Sequence, residues 1–209
     1  DQKNAELQAM EAQIDPHFLY NTLDTIIWLA ESDEQKQVVH MVESLSDFFR
    51  ISLNQGQDIL NVKEELQHVR SYLEIQQMRY QDILQYEICV PEELNHCCIP
   101  KITLQPLVEN ALYHGIKNKR GKGMIRVDGA WDGEDCILRI TDNGRGMTPE
   151  RLEQVREGIR NRNVRETDIY GLYNVNERIR LNFGENYGIT ITSTYGEGTC
   201  VTVRLPDCL

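Results

Sequence analysis

Three stretches of the chain repeat apolar residues at every third or fourth position, the spacing of an amphipathic helix. They span residues 2–31, 34–53 and 62–80. The break between the first two is only residues 31–33, so these helices are expected to form an antiparallel hairpin. Residues 54–58 contain no apolar side chain and include Gly56. They predict a boundary between a first domain, 1–56, and a second domain, 57–209.

After residue 80 the chain alternates between strand-like and helix-like segments. Period-two alternation bounded by Gly, Pro or Asp predicts the strands. The mixture predicts an α+β fold, in which a mixed sheet is covered by helices on one face. The predicted strands lie near residues 84–90, 124–131, 136–141, 189–194 and 199–205, and the predicted helices lie near residues 102–115 and 172–182, with a further helix start at 148–150.

The first helix carries a narrow apolar stripe when it is drawn at about 100° per residue. His17 and Asn21 fall on the opposite side, so the imidazole is expected to point outward. Two helices alone have little core, and pairing of two hairpins into a dimeric four-helix bundle would bury the stripe. The stripe consists of Ala12, Pro16, Leu19, Leu23, Ile26 and Ala30.

The residues next to His17 bear on whether it is a functional histidine. A proline inside a helix removes a backbone hydrogen bond, so Pro16 is expected to free the carbonyl of Ala12 and to bend the helix. Ile14 and Phe18 add apolar side chains to the outward face, which suit a transient partner and also packing against the neighbouring domain, two interpretations that are compatible. Alone, a single histidine is more often an ordinary surface or core-edge residue.

One predicted helix presents polar groups suited to a phosphate-rich ligand. Asn110, His114 and Lys117 are spaced i, i+4 and i+7, which predicts a shared helix face. An Asn oxygen can bind Mg²⁺, which takes few protein ligands when phosphates supply the rest. The cationic run 117–122 and the arginines within 147–170 are solvated loops in the simplest interpretation. Alternatively, the second segment is a mobile lid over a triphosphate.

A turn after one strand combines an acidic residue with two glycines. Asp142 can accept a hydrogen bond from an exocyclic amine, and Gly144 and Gly146 let a planar base approach the backbone. Asp-Gly turns are common, so the motif alone is weak. Gly171-Leu172 is predicted to begin a helix whose N–H groups and dipole favour phosphate. An ordinary helix start would have the same sequence.

Composition narrows the classes of function. The 209 residues are 40% hydrophobic and 26% charged, which suits one compact domain and a smaller element. The net charge of -11 argues against nucleic-acid binding. Six cysteines without a metal or disulfide spacing indicate reduced thiols in a cytoplasmic protein. No apolar run approaches the roughly 20 residues of a membrane span. Because the chain opens in mid-helix without Met, an upstream part is expected to be missing.

The motifs around Asn110, Asp142, Gly171 and Gly196-x-Gly198-Thr199, in that order, resemble the ATP-binding domain shared by gyrase, Hsp90, histidine kinases and MutL, the Bergerat fold. Together with the segments PHFLYNTLD, LSDFFRISL, LQHVRSYLEIQQMR, LQPLVENALYHGI, DNGRGM and GLYNVNERIRLNFG, they resemble the LytS/YesM-type bacterial sensor histidine kinases over nearly the whole chain.

This resemblance implies that ATP phosphorylates His17 and that the phosphoryl group passes to an Asp of a response-regulator receiver domain. Relatives are usually dimeric membrane receptors, so a membrane-anchored homodimer with a cytoplasmic kinase core is implied. The implied nucleotide residues are Asn110 as the Mg²⁺ ligand, Asp142 as the adenine contact, Gly144, Gly146 and Gly171 for the pocket and lid hinges, and Gly198-Thr199 on the adenine side.

Several positions depart from the family pattern. Asp15 stands where most relatives have Asn, and no acidic residue directly follows the histidine. The catalytic base is therefore unassigned, and Asp15, Asn21 and Glu109 are the candidate basic or orienting groups. Tyr113 replaces a common Lys, which shifts phosphate neutralisation toward Lys117 or the lid arginines. Ile169 replaces the first glycine of the G-x-G-L motif and predicts a stiffer lid hinge.

The predicted function is an ATP-dependent protein-histidine autokinase. The main alternative is a nucleotide-gated binding module or degenerate kinase without phosphotransfer, against which the presence of His17, Asn110 and Asp142 argues. A gyrase-type ATPase would need a water-activating Glu four residues before Asn110, where Pro106 stands.

Overall fold

The computed structural model describes residues 15–53, 56–161 and 167–207, which form six α-helices, a five-stranded sheet and a two-stranded sheet. The predicted helical residues 2–14 lie outside the described part of the chain, as do residues 54 and 55 of the predicted domain boundary.

A helical hairpin begins the described chain. Helix α1 spans Pro16–Glu31 and helix α2 spans Gln35–Ser52. Between them Asp33 adopts a left-handed conformation with φ 59°. Asp is one of the few residue types that accept this conformation readily, because its short polar side chain can bond locally. The short turn predicted from the sequence is thereby formed.

Helix α1 starts at Pro16, with Asp15 as its N-cap. The backbone of Asp15 is extended (ψ 112°), and its side chain accepts a hydrogen bond from the N–H of His17 at 2.9 Å. The prediction of one continuous helix bent at Pro16 is therefore wrong. A proline at the first helical position breaks no intrahelical hydrogen bond, because the N–H at that position has no partner within the helix.

The inner face of α1 is rotated away from the predicted stripe, and Leu23 of that stripe is 42% exposed. Phe18 sets the orientation, because its ring packs on those of Phe48 and Tyr72 with centroids 5.1 and 5.2 Å apart. Of the two interpretations of Phe18, packing against neighbouring helices is the one that the structure forms. The buried residues of α1 are Phe18, Thr22 and Leu29.

Helix α3, Val62–Arg79, joins the hairpin to the rest of the molecule. His68 on this helix is fully buried and stacks on Phe48, with ring centroids 4.6 Å apart. Its Nε2 lies 2.8 Å from Oγ of Ser52. Burial lowers the pKa of His68 to about 4, so the imidazole is neutral at physiological pH. Ring stacking and one polar contact therefore fix α2 on α3.

A mixed sheet forms the layer beneath the helices. Its strands are β2 (Leu84–Cys89), β4 (Gly123–Asp132), β5 (Asp135–Asp142), β6 (Gly188–Thr194) and β7 (Gly198–Pro206). The spatial order is β2-β4-β5-β7-β6, in which β2 and β4 run parallel and the other neighbours run antiparallel. Two short strands, β1 (Ile59–Asn61) and β3 (Cys98–Pro100), form a separate antiparallel pair.

The two faces of the sheet differ in chemistry. On the inner face Leu138 pairs with Val203, and both are fully buried under the helices. On the outer face Arg139 pairs with Asp128 at 2.6 Å. The helices are α3, α4 (Leu104–Asn110), α5 (Pro149–Arg160) and α6 (Thr167–Phe183). This arrangement confirms the predicted α+β fold, a mixed sheet with helices on one face.

Among the described helices, none is both long and apolar enough to cross a bilayer. The five cysteines within the described residues form no disulfide.

Candidate functional site

A cavity of about 350 Å³ lies between the ends of β5 and β7 and the helices α4, α5 and α6. Six of the residues expected to bind nucleotide line it, namely Asn110, His114, Asp142, Gly146, Leu172 and Thr199. Four others expected there do not belong to its lining, namely Lys117, Gly144, Gly171 and Gly198. The fold therefore brings together residues that are up to 89 positions apart, from Asn110 to Thr199.

Asp142 is the buried acid of the cavity. It ends β5, opposite Thr199 of β7, and is only 5% exposed. Burial raises the pKa of Asp142 to about 6, although the backbone N–H groups of Gly144 and Thr199 and the charge of Lys119 act in the opposite direction. The Gly144 hydrogen bond, at 2.8 Å to Oδ1, also fixes the direction of the carboxylate.

Glycines let three backbone segments meet around this carboxylate. A Cβ on Gly144 would lie 2.3 Å from the carbonyl carbon of Gly115. A Cβ on Gly198 would lie 1.9 Å from the backbone oxygen of Asp142, and Gly198 has a φ of 128° that side chains disfavour. Gly144 and Gly198 therefore shape the cavity from behind its lining.

The helix that carries Asn110 changes its winding there. It is α-helical to Asn110 and continues as a wider π-type turn over Ala111–Ile116. The N–H of Lys117 accordingly bonds to the carbonyl five residues earlier, at 2.9 Å. Because a π-turn contains an extra residue, Lys117 leaves the face that Asn110 shares with His114. The prediction that all three share one face is wrong.

Lys117 instead lies against two aromatic rings. Its ammonium is 4.6 Å from the ring centroid of Tyr113 and 4.9 Å from that of Tyr80. It also donates a hydrogen bond to the hydroxyl of Tyr80 at 3.2 Å. Tyr113, which stands where relatives commonly have Lys, thus supplies a cation–π partner for Lys117 outside the cavity lining.

Within the described residues helix α6 spans Thr167–Phe183, so it already includes the four residues before Gly171. Gly171 therefore lies beyond the first turn, where helix N–H groups are already paired with carbonyls. The prediction of a helix start at Gly171-Leu172 is wrong. Ile169, which departs from the family glycine, is buried and joins Leu172 in an apolar wall of the cavity.

The polar segment after Met147 is mostly helical. Thr148 caps α5 by accepting from the N–H of Arg151, as its sequence predicts. Arg151 lines the cavity, whereas Arg156 donates to the carbonyl of Ile191 at 2.9 and 3.2 Å. The interpretation of residues 149–160 as a solvated loop is therefore wrong, whereas a mobile lid over a triphosphate stays a prediction. Arg162 and Arg165 lie outside the described residues.

Arg145 and Tyr195 are two of the lining residues that sequence reasoning missed. The guanidinium of Arg145 lies 5.6 Å from the ring centroid of Tyr195, and both side chains line the cavity. Arg145 lies within the DNGRGM motif, three residues after Asp142, so the sequence could have predicted that it lies near the cavity. Tyr195 comes from the β6–β7 turn, which only the antiparallel pairing brings to the cavity.

His17 is exposed on α1 and lies outside the lining of this cavity. The side-chain nitrogen of Asn21, one turn later, is 2.8 Å from His17 Nδ1. An Asn amide can present its oxygen or its nitrogen at this position. In either case the contact occupies Nδ1, and Nε2 makes no hydrogen bond to the described residues.

A second cavity of about 370 Å³ lies between the start of α1 and the helices α4 and α6. Asp15, Glu109 and Gly171 line it. Burial raises the pKa of Glu109, Gln105 opposes this by donating a hydrogen bond at 3.1 Å, and the charge of Asp15 raises the pKa further. Two candidate basic groups therefore face each other there, outside the first cavity.

Two family models match the chain. The model described as histidine kinase matches residues 5–84, which include His17. The model described as histidine kinase-, DNA gyrase B-, and HSP90-like ATPase matches residues 100–208. The second match contains every residue that lines the first cavity.

Similarity to curated proteins extends over nearly the whole chain. The sensor histidine kinase YesM of Bacillus subtilis (strain 168) is 41% identical over 206 residues, 98% of this chain and 34% of YesM. The sensor histidine kinase BtsS of Escherichia coli (strain K12) is 33% identical over 202 residues, 97% of this chain and 33% of BtsS. The chain thus spans about a third of the length of these curated relatives.

Solved structures agree with the fold. The histidine kinase domain from the Erythrobacter litoralis EL346 blue-light activated histidine kinase has a TM-score of 0.54 and 15% identity, with 97% of this chain and 91% of that chain covered. The predicted fold class and the predicted resemblance are both confirmed.

Replacing Gly144 by Ala is expected to destabilise the protein by about 1–3 kcal/mol, because the new methyl group would overlap the backbone of Gly115. Gly171→Ala is the matched control, since a methyl group there meets nothing within 4 Å and Ala is favoured in a helix by roughly 0.5–1 kcal/mol. Urea unfolding should shift in opposite directions for the two variants. An unchanged midpoint for Gly144→Ala would contradict the close packing.

Proposed function

Because the chain belongs to the histidine kinase-, DNA gyrase B-, and HSP90-like ATPase family, we propose that it is the kinase core of a sensor histidine kinase. It transfers the γ-phosphoryl group of ATP to His17, and a response-regulator receiver domain then takes that group onto an Asp. The observation that carries this proposal is the combination, in one chain, of an exposed imidazole whose Nε2 has no hydrogen-bond partner among the described residues and a cavity with a buried carboxylate and an amide oxygen.

Asp142 is proposed to recognise adenine. Its carboxylate accepts a hydrogen bond from the exocyclic amine, and the neighbouring N–H of Gly144 keeps it oriented before the nucleotide arrives. The apolar side chains of Ile140, Ile169 and Leu172 then contact the faces of the base. Burial of the Asp142 carboxylate is only partly offset by the N–H groups of Gly144 and Thr199, so the adenine amine supplies a further donor.

Asn110 is proposed to bind Mg²⁺ at the phosphate end. Its side chain makes no hydrogen bond to another described residue, and it lines the cavity next to His114. A neutral amide oxygen suits a hard cation that receives its other ligands from phosphates and water. When bound, Mg²⁺ neutralises charge on the phosphates. Arg145 and Arg151 line the same cavity and are the proposed protein cations there.

Nε2 of His17 is proposed as the nucleophile. In the amide orientation that turns its oxygen, in place of the nitrogen, toward Nδ1, Asn21 accepts a hydrogen bond from the Nδ1–H and holds the tautomer in which Nε2 carries the lone pair. Nε2 then bonds to the γ-phosphorus as the bond from phosphorus to the ADP oxygen breaks. Asp15 and Glu109 are the proposed acceptors of the Nδ1 proton. Since His17 lies outside the cavity, α1 of this protomer or of a partner must approach the nucleotide.

The whole protein is proposed to be a membrane-anchored sensor whose kinase core lies in the cytoplasm. Its relatives are named as sensor proteins, and the chain spans about a third of their length. Self-association through the hairpin is part of this proposal. Helix α1 leaves apolar side chains exposed at helical spacing, Tyr20, Leu23, Ile27 and Trp28, and α2 adds Val39 and Val42.

Incubation with γ-labelled ATP and Mg²⁺ should place acid-labile, base-stable label on the chain. His17→Gln should remove the label, because it removes the nucleophile, and should leave ADP affinity unchanged. His40→Gln changes an exposed histidine of α2 and should label normally, while His114→Gln should only slow labelling. Undiminished labelling of His17→Gln would reject the kinase proposal and favour a nucleotide-gated binding module.

Nucleotide affinity should decrease as the pH falls through about 6. The pKa of Asp142 is raised to about 6, and adenine recognition requires the charged form. Full affinity is therefore expected above this pH, and about tenfold is lost per pH unit well below it. Calorimetry with ADP across this range measures the effect.

The control for this profile is Asp142→Asn. It should weaken ADP binding by about 1–3 kcal/mol and abolish the pH dependence, because the amide presents donors to the adenine amine. His17→Ala should bind like the parent chain. A flat profile in the parent chain would contradict Asp142 as the adenine acceptor, and equal losses in both variants would contradict the separation of the two sites.

The chain should dimerise through the exposed apolar face of its hairpin. Leu23→Glu should disrupt the dimer, since a carboxylate in an apolar interface is strongly disfavoured. Ser32→Glu, in the exposed turn of the hairpin, is the matched control and should remain dimeric. Light scattering distinguishes these states. A parent chain that is monomeric at high concentration would contradict the dimer proposal.

A further inference from the structure

Glu65 of α3 is a buried carboxylate that reaches the start of α4. Its Oε1 accepts a hydrogen bond from the N–H of Ile102 at 2.5 Å, and its Oε2 accepts from the N–H groups of Thr103 and Leu104, both at 3.1 Å. The side chain has no exposed surface. A carboxylate removed from water requires several such partners to offset its lost hydration.

Helix α4 has no N-cap of its own. Thr103 occupies the N-cap position, but its hydroxyl donates to the carbonyl of Pro100 at 2.6 Å and does not bond to the helix. Glu65 takes over this function from another helix. It pairs the first N–H groups and places negative charge at the positive end of the helix dipole.

The residue before this cap is strained and is held from both sides. Ile102 has a φ of 57°, a conformation that β-branched residues rarely adopt. Glu65 binds its N–H, and Nη2 of Arg178 on α6 donates to its carbonyl at 2.6 Å. Burial raises the pKa of Glu65, while the N–H groups of residues 102–104 and the charge of Arg178 act in the opposite direction. Such strain persists only where the surroundings fix the backbone.

The same face of α3 contacts the hairpin. His68 and Tyr72 follow Glu65 by three and seven residues, so they lie on one helix face with it. His68 contacts Ser52, and Tyr72 contacts Phe18. Through Glu65, His68 and Tyr72, helix α3 therefore connects the hairpin that carries His17 with helix α4, which carries Asn110.

We propose that Glu65 is a positioning residue for the magnesium–nucleotide complex, because it fixes the start of α4 and thereby the location of the Asn110 amide oxygen. This inference rests on the proposed function, in which Asn110 binds Mg²⁺. It requires the Mg²⁺-dependent part of ADP affinity to depend on Glu65. The Mg²⁺-independent part, which Asp142 and the apolar walls supply, does not depend on Glu65.

Calorimetric titration of the whole chain with ADP, in Mg²⁺ and in chelator, tests this requirement. Glu65→Gln keeps the shape of the side chain but has one oxygen for three N–H groups. The enhancement of ADP affinity by Mg²⁺ should fall about tenfold or more in this variant. Affinity in chelator should stay within about twofold of the parent value. Glu65→Asp keeps the charge but, with one methylene fewer, withdraws the carboxylate from the three N–H groups. It should show a smaller loss of the enhancement by Mg²⁺, and it serves as the test if Glu65→Gln does not fold.

Two controls separate the possible failures. Glu64→Gln makes the same chemical change at the next, partly exposed residue, which caps the N–H of Asn61, and it should keep the full enhancement. Asn110→Ala should lose the enhancement. If Asn110→Ala keeps it, the proposed function fails at its metal ligand, and the inference fails with it. If only the Glu65 variants keep it, or lose affinity equally in Mg²⁺ and chelator, the inference alone is overturned.

Discussion

The packing of helix α3 against the hairpin is the interaction on which the rest of the structure depends. Phe18, Phe48, His68 and Tyr72 form one buried aromatic cluster that no single helix could bury. Aromatic side chains bury large areas, roughly 150–250 Å² each, so this cluster contributes substantially to stability. The core is therefore continuous from the hairpin to α3 and the sheet. The domain boundary near residue 56 stays a prediction, and a cut there would expose this cluster.

The cavity proposed to bind nucleotide is built at some cost in stability. The pKa of Asp142 in the folded state, about 6, lies above its ordinary value of 3.8. The charged form is thus disfavoured by folding, and the contribution of Asp142 to stability is greatest below pH 3.8 and declines as the pH rises toward 6. A group that destabilises the free protein and offers an oriented acceptor is what a binding site requires. Close approach of Gly115, Gly144 and Gly198 makes this burial possible.

Much of the fold could be predicted from the sequence because its signals are local. Alternating apolar residues identified the five strands of the larger sheet but not the short β1 and β3, and Thr148-Pro149 identified the start of α5. The position of Asp142 at a strand end also followed from pattern and motif. Motifs succeed here because each one fixes a backbone geometry within a few residues.

The remaining features depend on contacts that a local pattern does not contain. A helical wheel assumes a constant period, so the π-turn after Asn110 displaced Lys117 from its expected face. A proline bends a helix when it lies in the interior but breaks no hydrogen bond at the first helical position. The extended backbone of Asp15 places Pro16 at the first position. Glu65 bonds to residues 37 to 39 positions away, and its sequence context resembles an ordinary helix surface.

The central claim, that ATP phosphorylates the imidazole of His17, is tested most directly by nitrogen NMR of the chain with ¹⁵N-labelled histidines, before and after addition of ATP and Mg²⁺. Asn21 occupies Nδ1 of His17, so the account predicts that one imidazole changes and that the phosphoryl group is bonded to its Nε2. Unchanged spectra for all histidines, or a phosphoryl group on Nδ1, would contradict the account.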